Sequence, residues 1–261
     1  MSILGENLLG EDKEKIALAR LKEFCPPEGY YVAFSGGKDS VVVKHLCERA
    51  RIKHDTHYAL TTIDPPELVQ FIKRECSDVE IVRPKRPMLI ELEKRGFPTR
   101  WHRWCCEYLK EKASANRVTV TGVRREESAR RRERPVVETC RRRGTILVNP
   151  IVDWTTADVW NYIHGYRIPY CSLYDEGWRR LGCVLCPMGS IDLARLEMAR
   201  WPKIAGAWRR AFNRLYERRK AANLPSVDNW NSGKEMFEWW LTIGREGNPN
   251  RQPDCQENLF L

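Results

Sequence analysis

The sequence predicts an α/β fold: a mainly parallel, twisted sheet with helices on both faces, followed by a helical C-terminal region. Three observations carry this. Short apolar runs alternate with helical periodicities from Tyr30 to Val148. The first of these runs passes through two glycines directly into a helix. Beyond the Cys-rich stretch around Cys183 the apolar spacing is helical almost throughout.

In chain order, Glu11 to Phe24 reads as an amphipathic helix with Ile16, Ala17, Leu21 and Phe24 near one face, stopped by Pro26, Pro27 and Gly29. Tyr30 to Phe34 is a buried strand, and Val41 to Arg51 a helix. His54 to Leu60 and Val79 to Val82 are strands, with helices at Pro66 to Cys76 and around Met88 to Arg95. Arg117 to Thr121 and Ile146 to Val148 complete the strands. Thr155 is placed to cap a helix containing Val159, Trp160 and Ile163. Ile204, Ala207, Trp208, Ala211, Phe212, Leu215 and Tyr216 form a 3.6-residue stripe that reads as core. The expected boundaries are an α/β domain over 1–165, a Cys-rich loop with a helical region packed on it over 166–246, and a polar tail over 247–261.

Bulk properties narrow the class. Of 261 residues, 42% are hydrophobic and 31% charged, an ordinary folded composition rather than a disordered one. No apolar run approaches the roughly 20 residues of a membrane helix. The first ten residues lack a secretory pattern, so a cytoplasmic location is expected. The formal net charge of +10 makes acidic partners, nucleotides or nucleic acid, natural ligands. Ten cysteines without a signal peptide give weight to metal or thiol chemistry over disulfides. Cys25, Cys47 and Cys76 lie in apolar helical stretches and read as buried thiols.

The most informative segment is Ser35-Gly36-Gly37-Lys38-Asp39-Ser40, between a strand and a helix. Glycines admit backbone angles and close approach that other residues resist. Amides at such a turn point at phosphate oxygens, and the helix dipole favours an anion there. Lys38 is expected to neutralise phosphate charge, and Ser35 and Ser40 to donate hydroxyl hydrogen bonds. Asp39 has three open roles: orienting Lys38, capping the helix, or helping to hold Mg²⁺. The spacing differs from that of the Walker loop.

This hexapeptide resembles the PP-loop of the adenine nucleotide α-hydrolase-like enzymes, which include N-type ATP pyrophosphatases and the phosphoadenosine phosphosulfate (PAPS) reductase family. Further stretches resemble the PAPS reductase family in unbroken order. They are Thr62-Ile63-Asp64-Pro65-Pro66-Glu67, then Thr121-Gly122-Val123-Arg124 with Ser128 and Arg130, then Asn149-Pro150-Ile151, Asp153-Trp154-Thr155 and Asp158-Val159-Trp160. Ile168-Pro169-Tyr170, Leu173-Tyr174-Asp175, Gly177 and Gly182-Cys183-Val184-Leu185-Cys186 continue the pattern. The resemblance implies a nucleotide across the carboxyl ends of the strands, as the rule for open sheets also requires. It implies catalytic roles for Lys38 and Asp39. It implies nucleotide contacts from the loop and from Thr62, Asp64, Gly122, Arg124, Ser128 and Arg130.

Cys183-x-x-Cys186 brings two thiolates to one point. Cys171 precedes it, and Cys105-Cys106 lies apart. Adenylyl-sulfate reductases of the resembled family carry a [4Fe-4S] cluster on a Cys-Cys pair plus a later Cys-x-x-Cys, which implies Cys105, Cys106, Cys183 and Cys186 as ligands. Because adjacent ligands demand an unusual backbone, the set Cys171, Cys183, Cys186 and one of Cys105 or Cys106 is slightly favoured. Zinc on the same thiolates is the alternative metal.

Arg124 to Arg143 holds nine arginines against four acids, and Lys203 to Lys220 seven basic residues against Glu217. The arginine fork suits sulfate or phosphate, with Arg124 and Arg130 as the expected nucleotide contacts. Arg131 to Arg134 and Arg209, Arg214 and Arg218 read either as solvated surface or as two borders of one cleft that follows a nucleic-acid backbone.

The resemblance implies one of two activities. The favoured one is an ATP-pyrophosphatase-type sulfurtransferase, similar to that of DNA phosphorothioation systems. It would use Mg²⁺ and ATP to adenylylate an acceptor and take sulfur from a cysteine desulfurase or thioredoxin-like donor. The alternative is an assimilatory adenylyl-sulfate/PAPS reductase that releases sulfite through a mobile cysteine. That reductase's Glu-Cys-Gly-x-His box is replaced here by Asp254-Cys255-Gln256-Glu257, which gives Cys255 no neighbouring His or Lys. A non-catalytic nucleotide-sensing or DNA-binding subunit is a third reading, and the intact loop argues against it.

Overall fold

The computed structural model describes residues 4, 12–114, 116–140, 144–224 and 229–242. Arg141 to Arg143, Cys255 and the polar tail over 247–261 lie outside them.

The first helix, α1 (Lys13–Glu23), starts where Asp12 accepts hydrogen bonds from Glu14 N and Lys15 N at 3.0 and 3.2 Å. Strand β1 (Tyr30–Phe34) runs into the glycine loop and helix α2 (Lys38–Ala50). Next come β2 (His54–Ala59), α3 (Pro66–Glu75), β3 (Glu80–Val82) and α4 (Met88–Arg95). A short helix α5 (Trp104–Leu109) precedes β4 (Thr119–Val120), β5 (Val137–Thr139) and β6 (Ile146–Val148). Helix α6 (Thr156–Gly165) begins at the expected cap: Thr155 and Asp158 form a reciprocal capping box. Helices α7 (Ile191–Arg200), α8 (Pro202–Ala221) and α9 (Gly233–Leu241) follow.

The sheet has the order β3-β2-β1-β4-β6-β5, parallel except for the antiparallel pair β5–β6. The strand order therefore reverses between β1 and β4, which pair directly through Tyr31↔Thr119 and Val32↔Val120. Loops leaving those two strands diverge to opposite sides and open a crevice at their carboxyl ends. Helices cover both faces; α1, α2 and α6 pack together, and α8 packs on α4, α7 and α9. Two elements were not legible beforehand. Edge strand β5 is three residues among arginines, and α5 is six residues, too short to show a period.

The stripe on α8 is core, as expected. Trp208 stacks on Trp240 of α9 with ring centroids 4.8 Å apart, and Phe212 meets the same ring at 5.2 Å. Trp208 also donates through Nε1 to Val184 O at 3.3 Å, so the helical layer is tied to the loop of Cys183 and Cys186. Among the described residues no helix is long and apolar enough to cross a membrane.

Candidate functional site

The glycine loop turns at Gly36, whose φ of 72° lies in the left-handed region. A Cβ there would lie 2.7 Å from Leu68 and 2.8 Å from Ile72, so Gly36 faces α3 and the loop is pressed against that helix. The opposite side of the loop borders a cavity of about 480 Å³, within the size range of small-molecule sites. Ser35, Gly37, Lys38, Asp39 and Ser40 line it from β1; Gly122, Arg124, Ser128 and Arg130 line it from the loop after β4. The crevice at the strand reversal is thus the pocket, and its walls are cationic.

Within it the charges form a chain. Lys38 Nζ lies 2.9 Å from Asp39 Oδ2, and Arg124 Nε lies 2.6 Å from Asp39 Oδ1. Both carboxylate oxygens of Asp39 are engaged by cations, an arrangement that fits the orienting of Lys38. Ser40 Oγ donates to Gly37 O at 2.8 Å and accepts from Ser35 N at 3.2 Å, so it stitches the loop closed.

A second cavity, about 70 Å³, is lined by Cys105, Cys106, Cys183 and Cys186. Arg180, Leu181 and Met188 line both cavities, so one wall separates them. Cys106 is held below the ordinary thiol range by a hydrogen bond from Cys105 and by the guanidinium of Arg103, whose Nη2 lies 3.2 Å from its Sγ. Burial pushes Cys183 up to about 12. Burial works against the Lys110 charge, but Cys183, Cys106, Asp64 and Cys186 outweigh it and hold Lys110 protonated. Arg103 Nε and Nη1 are buried without a hydrogen-bond partner. Four thiols, two adjacent cations and orphaned donors fit a buried group of negative charge with acceptor atoms. Among the described residues no three His, Cys, Asp or Glu side chains converge closely enough to hold a single metal ion.

Residues 29–188 match the phosphoadenosine phosphosulfate reductase domain. The chain belongs to this family. It is 34% identical over 221 residues to an uncharacterized protein of Methanocaldococcus jannaschii, covering 76% of this chain and 52% of that protein. It is 28% identical over 181 residues to the adenosine 5'-phosphosulfate reductase of Geobacillus kaustophilus, covering 65% of this chain and 77% of that enzyme. The chain spans about half the length or less of the two archaeal relatives it matches. The PAPS reductase of Candida auris shares the fold, with a TM-score of 0.51 and 21% identity over 68% of this chain and 90% of that one.

The structure places several of the expected residues apart from the sites expected of them. Cys171 does not line the thiol cavity; it is fully buried, and its charged neighbours are Glu67, Glu176 and Asp175. The 3-10 turn Ser172–Tyr174 holds it beside α3 instead. Cys105, Cys106, Cys183 and Cys186 line one cavity, and Cys171 is not among its lining residues. Thr62 and Asp64 do not line this cavity, although Asp64 lines a smaller one together with Ser35 of the loop. Thr62 Oγ1 accepts from Met88 N at 3.0 Å at the start of α4, and Asp64 accepts from Thr61 N at 2.7 Å. Arg124 lines the pocket but is 2% exposed and commits its donors internally, to Asp39, Glu126, Thr156 and Trp154 O. Its guanidinium braces Asp39 at the pocket wall.

The two arginine groups differ in what they touch. Arg131 lines the pocket, whereas Arg209, Arg214 and Arg218 do not. Arg214 Nε lies 2.5 Å from Glu93 Oε1, Arg218 donates to Glu93 O at 3.1 Å, and Arg209 lies over the Phe237 ring. These arginines fasten α8 to α4 and α9. Sequence reasoning also gave no role to Arg100, Arg179, Arg180 and Tyr174, all of which line the pocket. Paired arginines at 179 and 180, just before Gly182-Cys183, were the available signal.

Proposed function

We propose that this chain is an iron–sulfur enzyme that acts at the α-phosphate of ATP, an ATP-pyrophosphatase-type sulfurtransferase. The observation that carries this reading is the shared wall: a cationic phosphate-loop pocket and a four-cysteine cavity meet at Arg180, Leu181 and Met188. Cys105, Cys106, Cys183 and Cys186 would hold a [4Fe-4S] cluster, which supplies electron transfer or sulfur-binding chemistry when bound. Each thiolate of a cubane takes its own iron, so the ligands are spread wider than the roughly 2.3 Å shell of a single zinc allows. Iron is favoured over zinc by the resemblance to adenylyl-sulfate reductases.

The chain's own residues account for the phosphate chemistry. Lys38, fixed by Asp39, places a positive charge at the mouth of the loop. Charge that develops on the bridging oxygen is stabilised there as the bond from the α-phosphorus to that oxygen breaks. The acceptor's nucleophile forms the new bond to the α-phosphorus, and pyrophosphate leaves with the electron pair. Mg²⁺ enters as part of the ATP substrate. The acceptor, nucleic acid among the candidates, and a sulfur-donor protein complete the reaction.

A second reading is favoured by relatives that carry the name adenosine 5'-phosphosulfate reductase. It requires a cysteine that attacks the sulfur of the sulfonucleotide, and Cys255 is the residue for that role. Anaerobically purified protein incubated in parallel with ATP, adenylyl sulfate and PAPS separates the two. Pyrophosphate from ATP supports the first reading, sulfite from either sulfonucleotide the second.

A further inference from the structure

Tyr174 stands where the phosphate loop meets the pocket. Its hydroxyl oxygen accepts a hydrogen bond from Lys38 N at 2.8 Å. That amide is the first of α2 and belongs to the set a phosphate loop turns toward an anion. It is therefore already engaged. Among the described residues the Tyr174 hydroxyl makes no second hydrogen bond, so its own proton remains to be donated. The residue lines the nucleotide pocket.

The ring is held in place. Trp160 meets it edge-on with centroids 5.1 Å apart at 85°, and Tyr170 lies at 6.4 Å and 63°. Tyr174 N is tied to Cys171 O at 3.1 Å. Gly37 leaves the approach open: a Cβ at that position would sit 3.4 Å from the Tyr174 hydroxyl and 3.3 Å from Ser35 Oγ. A fixed ring cannot swing away to release the amide when an anion arrives.

We infer that Tyr174 is a phosphate-binding residue that relays the Lys38 amide. The amide donates to the phenol oxygen, and the phenol donates to a phosphate oxygen. The chained hydrogen bonds polarise one another, so the hydroxyl is a better donor than an isolated phenol. This rests on the nucleotide reading above and adds one donor to it.

The test is titration of inorganic pyrophosphate and of ATP into the full chain and into Tyr174→Phe, with Tyr170→Phe as control. Tyr170 donates to Asp175 at 3.0 Å and does not line the pocket. The expected result is a loss of roughly ten- to a hundredfold in pyrophosphate and ATP affinity for Tyr174→Phe, as for one hydrogen bond to a charged group, and none for Tyr170→Phe. Equal binding by Tyr174→Phe overturns the relay. Tighter binding also overturns it, because the hydroxyl would then be a plug on the amide. No binding by the unaltered chain overturns the nucleotide reading and the relay together. Should Tyr174→Phe fail to fold, amide exchange in the unaltered protein decides. The relay requires Lys38 N–H to be protected before and after pyrophosphate is added, and loss of protection on binding rejects it.

Discussion

Glu197 Oε2 accepts a hydrogen bond from Leu185 N at 2.6 Å, and Leu185 has a φ of 61°. Leu185 lies between Cys183 and Cys186, so a carboxylate on α7 secures the left-handed residue that folds the two thiols toward one cavity. A non-glycine residue persists in that region only when its surroundings hold it there. Glu197→Ala is expected to destabilise the protein by about 1–3 kcal/mol and to lower its iron content, whereas Glu197→Gln keeps an acceptor oxygen and most of the iron. Thermal midpoints and iron analysis on anaerobic samples check this. Unchanged iron in a folded Glu197→Ala variant would remove the link between the carboxylate and the thiol turn.

The four thiols that line one cavity are the expected holders of the metal. Anaerobic protein should be brown and carry about four irons per chain. Serine at Cys105, Cys106, Cys183 or Cys186 should abolish the colour, and Cys171→Ser should retain it. Colourless protein with stoichiometric zinc would reject the cluster.

Lys38→Ala should leave the chain folded, because Asp39 retains its Arg124 partner. Pyrophosphate release should fall by at least about a hundredfold, as for loss of a preorganised charge at the transition state. Turnover at the unaltered rate would show that Lys38 has no part in the chemistry.

Arg124 and Arg130 should behave oppositely. Arg124 is buried, and its burial works against its charge, but Asp39, Glu127 and Glu126 outweigh that and hold it protonated. Arg124→Ala leaves those acids uncompensated and should cost about 3–5 kcal/mol in denaturant unfolding. Arg130 is exposed at the pocket rim. Arg130→Ala should leave stability nearly unchanged and weaken nucleotide binding by roughly tenfold. The reverse pattern would mean that the two roles have been exchanged.

Asp55 gives a pH dependence. Hydrogen bonds from Arg117 hold its carboxyl below the usual value of 3.8, against a smaller opposing effect of burial. A lowered folded pKa means the stabilisation is present above the unfolded value and is lost as pH falls through the folded one. The thermal midpoint should therefore drop on the acid side of about pH 4. Asp55→Asn should make that acid limb shallower while lowering stability at neutral pH.

The sequence by itself determined the strand and helix order apart from β5 and α5, the phosphate loop and the cap at Thr155, because each is local. Apolar period, glycine placement and a capping pair act within a few residues and need no distant partner. Which cysteines meet was decided only by the tertiary structure. Cys105 and Cys106 on α5 come to the turn of Cys183 and Cys186 because α4 and α8 pack together and Trp208 grips Val184. Cys171, nearer to that turn in the chain, is carried away by its own 3-10 turn. The same holds for charge. Spacing marked Arg124 as an anion ligand, but burial forces its donors onto Asp39, Glu126 and Thr156, since a buried guanidinium must be paired where it stands. Sequence spacing carries no information about these distances; the packing of the sheet and its helices sets them.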